Sequence, residues 1–225
     1  MHRNFGPVQP YFSLISKTRY FLVPWLAFLA IAGLILSLYS VSEIHLAINT
    51  RNNGFLDFIM PYVTLGADGW TILVACLLLF AWHRRGGLFT GIACLFTSGI
   101  TWTLKSTLFY GEPRPKWFYT FLEPMDIHYV PGVKNWLYDS FPSGHTTVAF
   151  AFFFALALCT RHRKMSALYF VCALVLGYSR IYLSQHFLKD VFFGSVIGTV
   201  GTLVIFAEAV RFKWITLPLS KRENP

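Results

Sequence analysis

Residues 20–42 read YFLVPWLAFLAIAGLILSLYSVS, twenty-three positions without one Asp, Glu, Lys or Arg. At 1.5 Å of rise per residue, a helix of that length crosses about 30 Å, the hydrocarbon thickness of a bilayer. Residues 86–104, GGLFTGIACLFTSGITWTL, do the same. Working outward from these two runs, uncharged or nearly uncharged stretches recur at about 20–42, 58–82, 86–107, 144–160, 165–182 and 190–210. The expected fold is therefore an all-α membrane protein, six transmembrane helices in a bundle forming one domain over residues 1–225. Composition agrees, with 55% hydrophobic and 13% charged residues and a mean hydropathy of +0.52, where a soluble domain carries about a quarter charged residues. Disorder, a disulfide-stapled secreted domain and a free nucleic-acid binder are all excluded, the last despite a net charge of +9.

The charges sort by side. One set of flanking segments holds Arg3, Lys17, Arg19, Arg84, Arg85, Arg161, Arg163, Lys164, Arg211, Lys213, Lys221 and Arg222, opposed only by Glu208 and Glu223. The other set balances Arg51, Lys105, Arg114, Lys116, Lys134, Arg180 and Lys189 against Glu43, Asp57, Glu112, Glu123, Asp126, Asp139 and Asp190. The positive-inside rule then puts both termini in the cytoplasm and the longest loop, about 108–143, outside. The first apolar run is too long for a signal peptide and lacks a small-residue cleavage site, so it reads as a retained span. Cys76, Cys94, Cys159 and Cys172 lie in apolar runs without CxxC spacing, and read as small core residues. Gly194 and Gly198 read as a close helix-packing face.

The unusual polar residues gather at outward-facing ends. Lys105 and Arg114-Pro115 flank the start of the long loop. Pro142-Ser143-Gly144-His145 opens the fourth span. Ser179-Arg180, His186 and Asp190 bridge the fifth and sixth. Three permanent cations, Lys105, Arg114 and Arg180, suit a phosphate, which guanidinium groups can grip in bidentate fashion. A helix opening at Ser143-Gly144-His145 offers backbone N–H donors, and Gly144 leaves room for an anion. His186 and Asp190, spaced i, i+4, are expected to share a face on the first turn of the sixth helix. Asp190 would accept the Nδ1–H and leave Nε2 free to attack phosphorus. His145 is the candidate donor to the leaving oxygen. No carboxylate cluster suited to Mg²⁺ is present, so neither metal nor cofactor is expected.

These three clusters, Lys105…Arg114-Pro115, Pro142-Ser143-Gly144-His145 and Ser179-Arg180-x5-His186-x3-Asp190, resemble the signature motifs of the type 2 phosphatidic acid phosphatase (PAP2) superfamily. The second and third match residue for residue. The first departs, because eight residues separate Lys105 from Arg114 where the family usually has six. That leaves Lys116 as a substitute for Lys105. The resemblance implies a phosphohistidine formed on His186, with Asp190 as its orienting partner and His145 as general acid. It implies a phosphate cradle of Lys105, Arg114, Ser143, Gly144 and Arg180. The expected protein is a bacterial inner-membrane lipid phosphatase with its site at the outer membrane surface. Undecaprenyl diphosphate, phosphatidylglycerol phosphate, phosphatidic acid and lipid A are its candidate substrates. Transfer of the phosphate to a lipid acceptor is the alternative. A transporter or non-catalytic anion-binding protein fits less well, since transporters place their charges near the midplane. Asp68, inside the second apolar stretch, reads as a helix-break residue or as a reach into the pocket. His128 reads as structural.

Overall fold

The computed structural model describes residues 9–160 and 163–212. Arg3, Arg161, Lys213, Lys221 and Arg222, which contribute to the inward charge excess, lie outside the described residues. The described chain is helical and contains no strand. In order it forms α1 (Gln9–Leu38), α2 (Val41–Asn49), α3 (Gly54–Leu65), α4 (Gly69–Trp82), α5 (Arg84–Ser106), α6 (Pro115–Trp117), α7 (Gly144–Cys159), α8 (Arg163–Tyr182) and α9 (Leu188–Arg211). The single turn α6 continues into a π-helical turn over Phe118–Leu122.

Among the described residues four helical segments, Thr18–Leu38, Arg84–Ser106, Lys164–Tyr182 and Leu188–Arg211, are long and apolar enough to cross a membrane. The expected continuous span at 58–82 is instead two helices, α3 and α4, which qualify together as a fifth crossing but meet at a 55° bend. The residues responsible are polar or small. Gly66 ends α3, and the Asp68 carboxylate caps α4 by accepting the Trp70 N–H at 3.1 Å. α7 is apolar throughout but has only 16 residues. The expected first span over 20–42 also stops short, at Leu38. Ser40 and Glu43 then form a capping box that starts the separate helix α2.

α7 sits at the centre, packed against α5, α8 and α9. Its far end is a cluster of rings in which Phe150 and Phe154 meet Phe21 of α1 and Phe170 of α8. Its near end is pressed onto α9 by small residues. A Cβ on Gly194 would stand 2.8 Å from the Ser143 carbonyl oxygen, and one on Gly198 would stand 2.4 Å from that of Thr147. Only hydrogen fits at either place, so the starts of α7 and α9 come together. Large apolar side chains such as Val23, Leu26, Leu78 and Trp82 face outward on α1 and α4, as lipid-facing surfaces do.

Candidate active site

The Ser143 N–H donates to the Asp190 carbonyl at 3.0 Å, joining the start of α7 to the start of α9. Ser143 is the N-cap of α7, its Oγ accepting from the Thr146 N–H at 3.4 Å and from the Thr146 hydroxyl at 2.9 Å. The Gly144 and His145 amides belong to the first turn, whose N–H groups find no partner inside the helix. A Cβ on Gly144 would meet nothing closer than a Thr101 methyl at 3.9 Å. Space at the Gly144 Cβ position is therefore open.

His186 precedes α9 and does not sit on its first turn, contrary to the expectation from spacing, because Phe187 is the cap. The pairing survives that shift. His186 Nδ1 lies 3.3 Å from Asp190 Oδ2, both side chains are buried, and the same oxygen accepts the Phe187 N–H at 2.9 Å. With Nδ1–H directed at the carboxylate, Nε2 carries the lone pair. Burial, reinforced by the charges of Arg114, Arg180 and Lys105, holds the His186 imidazole well below its ordinary pKa, so it is neutral at pH 7. The turn that carries it is closed by the Arg180 carbonyl, which accepts from the Gln185 and His186 N–H groups at 2.9 and 3.1 Å.

The three cations converge. Lys105 Nζ donates to the Asp139 carbonyl at 2.6 Å, and Arg114 Nη2 donates to the same oxygen at 3.3 Å. Arg114 is further held by the Tyr138 carbonyl at 2.7 Å and by Gln185 Oε1 at 3.2 Å. Arg180 is buried, with Nη1 on the Thr64 hydroxyl at 2.6 Å and Nε without a partner. A buried guanidinium N–H that no protein group satisfies is a donor free to bind an acceptor. His145 is half-buried at the head of α7 and feels Arg180, Arg114 and Lys105. All eight residues singled out from sequence thus converge on one end of the bundle. Lys116, the substitute for Lys105, does not share the Asp139 carbonyl. It lines a neighbouring cavity of about 590 Å³ with Arg114, Lys134, Trp136 and Tyr138.

Four contributors had no signal in the sequence. Ser140 donates its hydroxyl to Asp190 Oδ2 and stands 3.5 Å from His186 Nδ1. Asp139 acts through its carbonyl, turned by a left-handed φ of 60°. Gln185 and Thr64 hold the two arginines. Among the described residues no group of three His, Cys, Asp or Glu side chains gathers as a metal would require.

Residues 86–214 match the PAP2 superfamily. The chain belongs to that superfamily, and it is a phosphatase of the PAP2 type. Among its relatives, undecaprenyl-diphosphatase BcrC of Bacillus subtilis is 30% identical over 164 residues, covering 70% of this chain and 77% of that one. A lipid A 1-phosphatase of Rhizobium etli is 28% identical over 185 residues, covering 71% and 76%. Two solved structures share the fold. Aquifex aeolicus LpxE superposes with a TM-score of 0.65 at 23% identity, over 76% of this chain and 97% of that one. A PAP2-type phosphatidylglycerolphosphate phosphatase of Bacillus subtilis gives 0.56 at 22% identity, over 91% and all of that chain. The protein is accordingly a multi-pass membrane protein.

Proposed function

We propose that this enzyme is a metal-independent lipid phosphatase acting through a phosphohistidine. The observation that carries the reading is the buried His186–Asp190 pair, 3.3 Å apart, facing three cations of which one still has an orphaned N–H. The substrate phosphate is held by Lys105, Arg114, Arg180, the Ser143 hydroxyl and the Gly144 and His145 amides. His186 Nε2 attacks phosphorus, and the bond to the leaving oxygen breaks with its electron pair passing to that oxygen, which takes a proton from His145. Water then attacks the phosphohistidine, giving its proton to His145. The P–N bond breaks and its electrons return to His186. Three cations and the backbone donors supply the charge stabilisation that a metal would otherwise provide.

In this reading α3 and α4 form one bent span and α7 a short one, which makes six crossings. Both termini are cytoplasmic, and the site opens at the outer surface of a bacterial inner membrane. The lipid chain stays in the bilayer while the head group reaches His186. The substrates in view are undecaprenyl diphosphate, phosphatidylglycerol phosphate, phosphatidic acid and lipid A. The relatives named as undecaprenyl-diphosphatase and lipid A 1-phosphatase support that panel. The test is phosphate release by purified protein across these four lipids, in EDTA and in Mg²⁺, with and without a second lipid as acceptor. Release from at least one lipid, unaffected by EDTA and blocked by vanadate, is the expected result. Loss of turnover in EDTA with recovery in Mg²⁺ overturns the metal-independent mechanism. Appearance of phosphate on the acceptor lipid in place of free phosphate makes the enzyme a transferase.

A further inference from the structure

Seven Lys and Arg residues belong to the charge-balanced end of the bundle: Arg51, Lys105, Arg114, Lys116, Lys134, Arg180 and Lys189. Lys105, Arg114 and Arg180 converge on the site. Lys189 pairs with Glu112 at 3.4 Å, and Arg51 Nη1 donates to the Ala47 carbonyl at 3.0 Å. Lys116 and Lys134 stand in no ion pair among the described residues. Both line the cavity of about 590 Å³ beside the site. Like charges gathered at one hollow repel each other until an anion joins them.

Arg114 is the wall that this hollow shares with the site. Its N–H donates to the Leu137 carbonyl at 2.9 Å and its Nε to the Tyr138 carbonyl at 2.7 Å, so the segment 134–139 is folded around that arginine. The other end of the segment is tied to the neighbour of His186, since Gln185 Nε2 donates to the Lys134 carbonyl at 3.0 Å and to Asn135 Oδ1 at 2.8 Å. The Lys134 ammonium lies 4.0 Å from the centre of the Trp136 ring, a cation–π contact that fixes where the charge stands. Lys116 comes from the single turn α6, two residues after Arg114. Asp139 is the one carboxylate in the lining, and its Oδ1 accepts the Gly111 N–H at 3.2 Å. Three cations against one carboxylate leave the cavity positive.

We propose that this cavity is a second phosphate subsite, in which Lys116 and Lys134 hold the phosphate that stays on the lipid when a lipid diphosphate is cleaved. The proposal rests on the reading above, in which His186 and the three cations take the phosphate that is transferred. Because Arg114 lines both places, the two phosphates must stand close together, as they do across a P–O–P bridge. Phosphates at opposite ends of a long head group cannot share one guanidinium. His186 Nε2 forms the P–N bond to the terminal phosphorus. The bond from that phosphorus to the bridging oxygen breaks, and its electron pair stays on the oxygen, now part of the retained monophosphate. Water then cleaves the P–N bond, so lipid diphosphate and water give lipid monophosphate and inorganic phosphate. Negative charge grows on the retained phosphate as the bridge breaks, so cations placed there stabilise the transition state as well as the bound substrate. A lipid monophosphate presents nothing to the cavity.

Two substrates that differ only in the second phosphate isolate the subsite: dioctanoylglycerol diphosphate and dioctanoyl phosphatidic acid. Rates are measured on purified full-length protein. Lys116→Gln combined with Lys134→Gln is expected to lower kcat/KM on the diphosphate by about tenfold or more, and on phosphatidic acid by less than about threefold. Both lysines are exposed, so the fold should persist. Arg51→Gln removes a cation from the same end of the bundle but outside the cavity, and should leave the ratio of the two rates unchanged. An equal fall of that ratio in Arg51→Gln would mean a general attraction for anions and overturns the subsite. Methylenediphosphonate, whose P–C–P link resists hydrolysis, should inhibit phosphatidic acid cleavage better than inorganic phosphate does in the wild type, and no better in the double variant. A double variant that keeps its diphosphate rate but loses inhibition by inorganic phosphate makes the cavity a free-phosphate site and overturns the proposal. Equal losses on both lipids, or no loss on either, overturns it as well. Wild-type protein that cleaves phosphatidic acid but not the diphosphate overturns the subsite and leaves the phosphatase reading standing. Wild-type protein that releases phosphate from neither lipid sinks the phosphatase reading instead.

Discussion

Ser140 donates its hydroxyl to the same Asp190 oxygen that orients His186, in a pocket where Asp190 Oδ1 already lacks a partner. Removing that donor leaves a buried carboxylate with the Phe187 amide and the imidazole alone. A hydrogen bond to a charged group is worth about 1.5–3 kcal/mol, so Ser140→Ala is expected to lower kcat by roughly ten- to a hundredfold. The fold should persist, because the Ser140 N–H to Glu112 carbonyl bond at 3.0 Å is untouched. Rapid-quench trapping of labelled phosphoenzyme beside a melting curve checks both points. Wild-type formation rates in the variant would mean that the Phe187 amide suffices to hold Asp190. Legibility at this scale divides by chemistry. His186, Asp190, His145 and the three cations can be read from the sequence because the proposed reaction calls for their side-chain types at fixed intervals. Ser140 is a common residue with no interval of its own, and Asp139 contributes a carbonyl that every residue possesses. What singles out Asp139 is a backbone conformation, and sequence does not display it.

Contact between α7 and α9 is what turns two distant motifs into one site, and two glycines permit it. A Cβ at position 198 would stand 2.4 Å from the Thr147 oxygen and 2.9 Å from the Phe150 Cβ, atoms of a backbone and a packed ring that cannot swing away. Gly198→Ala is therefore expected to destabilise the protein by about 1–3 kcal/mol through overpacking. Gly33→Ala is the control, since its new Cβ would meet only Phe192 at 3.8 Å, ordinary contact. Thermal unfolding in detergent should show a clear fall for the first and none for the second. Equal melting temperatures would mean that α9 can slide on α7 without cost. Helix content was readable wherever apolar residues run unbroken, and Gly194 and Gly198 were readable as a packing face. A helix break at Asp68 was readable as one of its two roles, and the structure places α3 and α4 on either side of it, but hydropathy alone keeps 58–82 as one run because Gly66 and Asp68 interrupt it so briefly. The short α2 escaped for the opposite reason. Its signal is the Ser40–Glu43 capping box, and it begins inside what looks like the end of the first span.

Every hydrogen bond and contact described above is the same whichever way the bundle is inserted, so orientation depends on the charge distribution of the whole chain. Arg84 and Arg85 stand at the α4–α5 junction, on the face that the positive-inside rule assigns to the cytoplasm. The segment carrying Glu123 and Asp126 follows the π turn on the face that holds His186, and Met125 within it is exposed. In protein whose four cysteines have been replaced, a single cysteine at Met125 is expected to react with an impermeant maleimide added to intact cells. One at Arg85 should react only after permeabilisation. Cys76 and Cys94 are buried, so replacing them needs volume-matched residues such as Ala or Ser, with phosphatase activity retained as proof of the fold. The reverse labelling pattern would turn the His186 end toward the cytoplasm. The candidate substrates would then have to come from the inner leaflet, and undecaprenyl diphosphate displayed on the outer leaflet would drop out. The expected orientation rests on the charge excess of the whole chain, because each added Lys or Arg that must cross the bilayer raises the cost of the reverse orientation, while the balanced charges at the His186 end oppose neither.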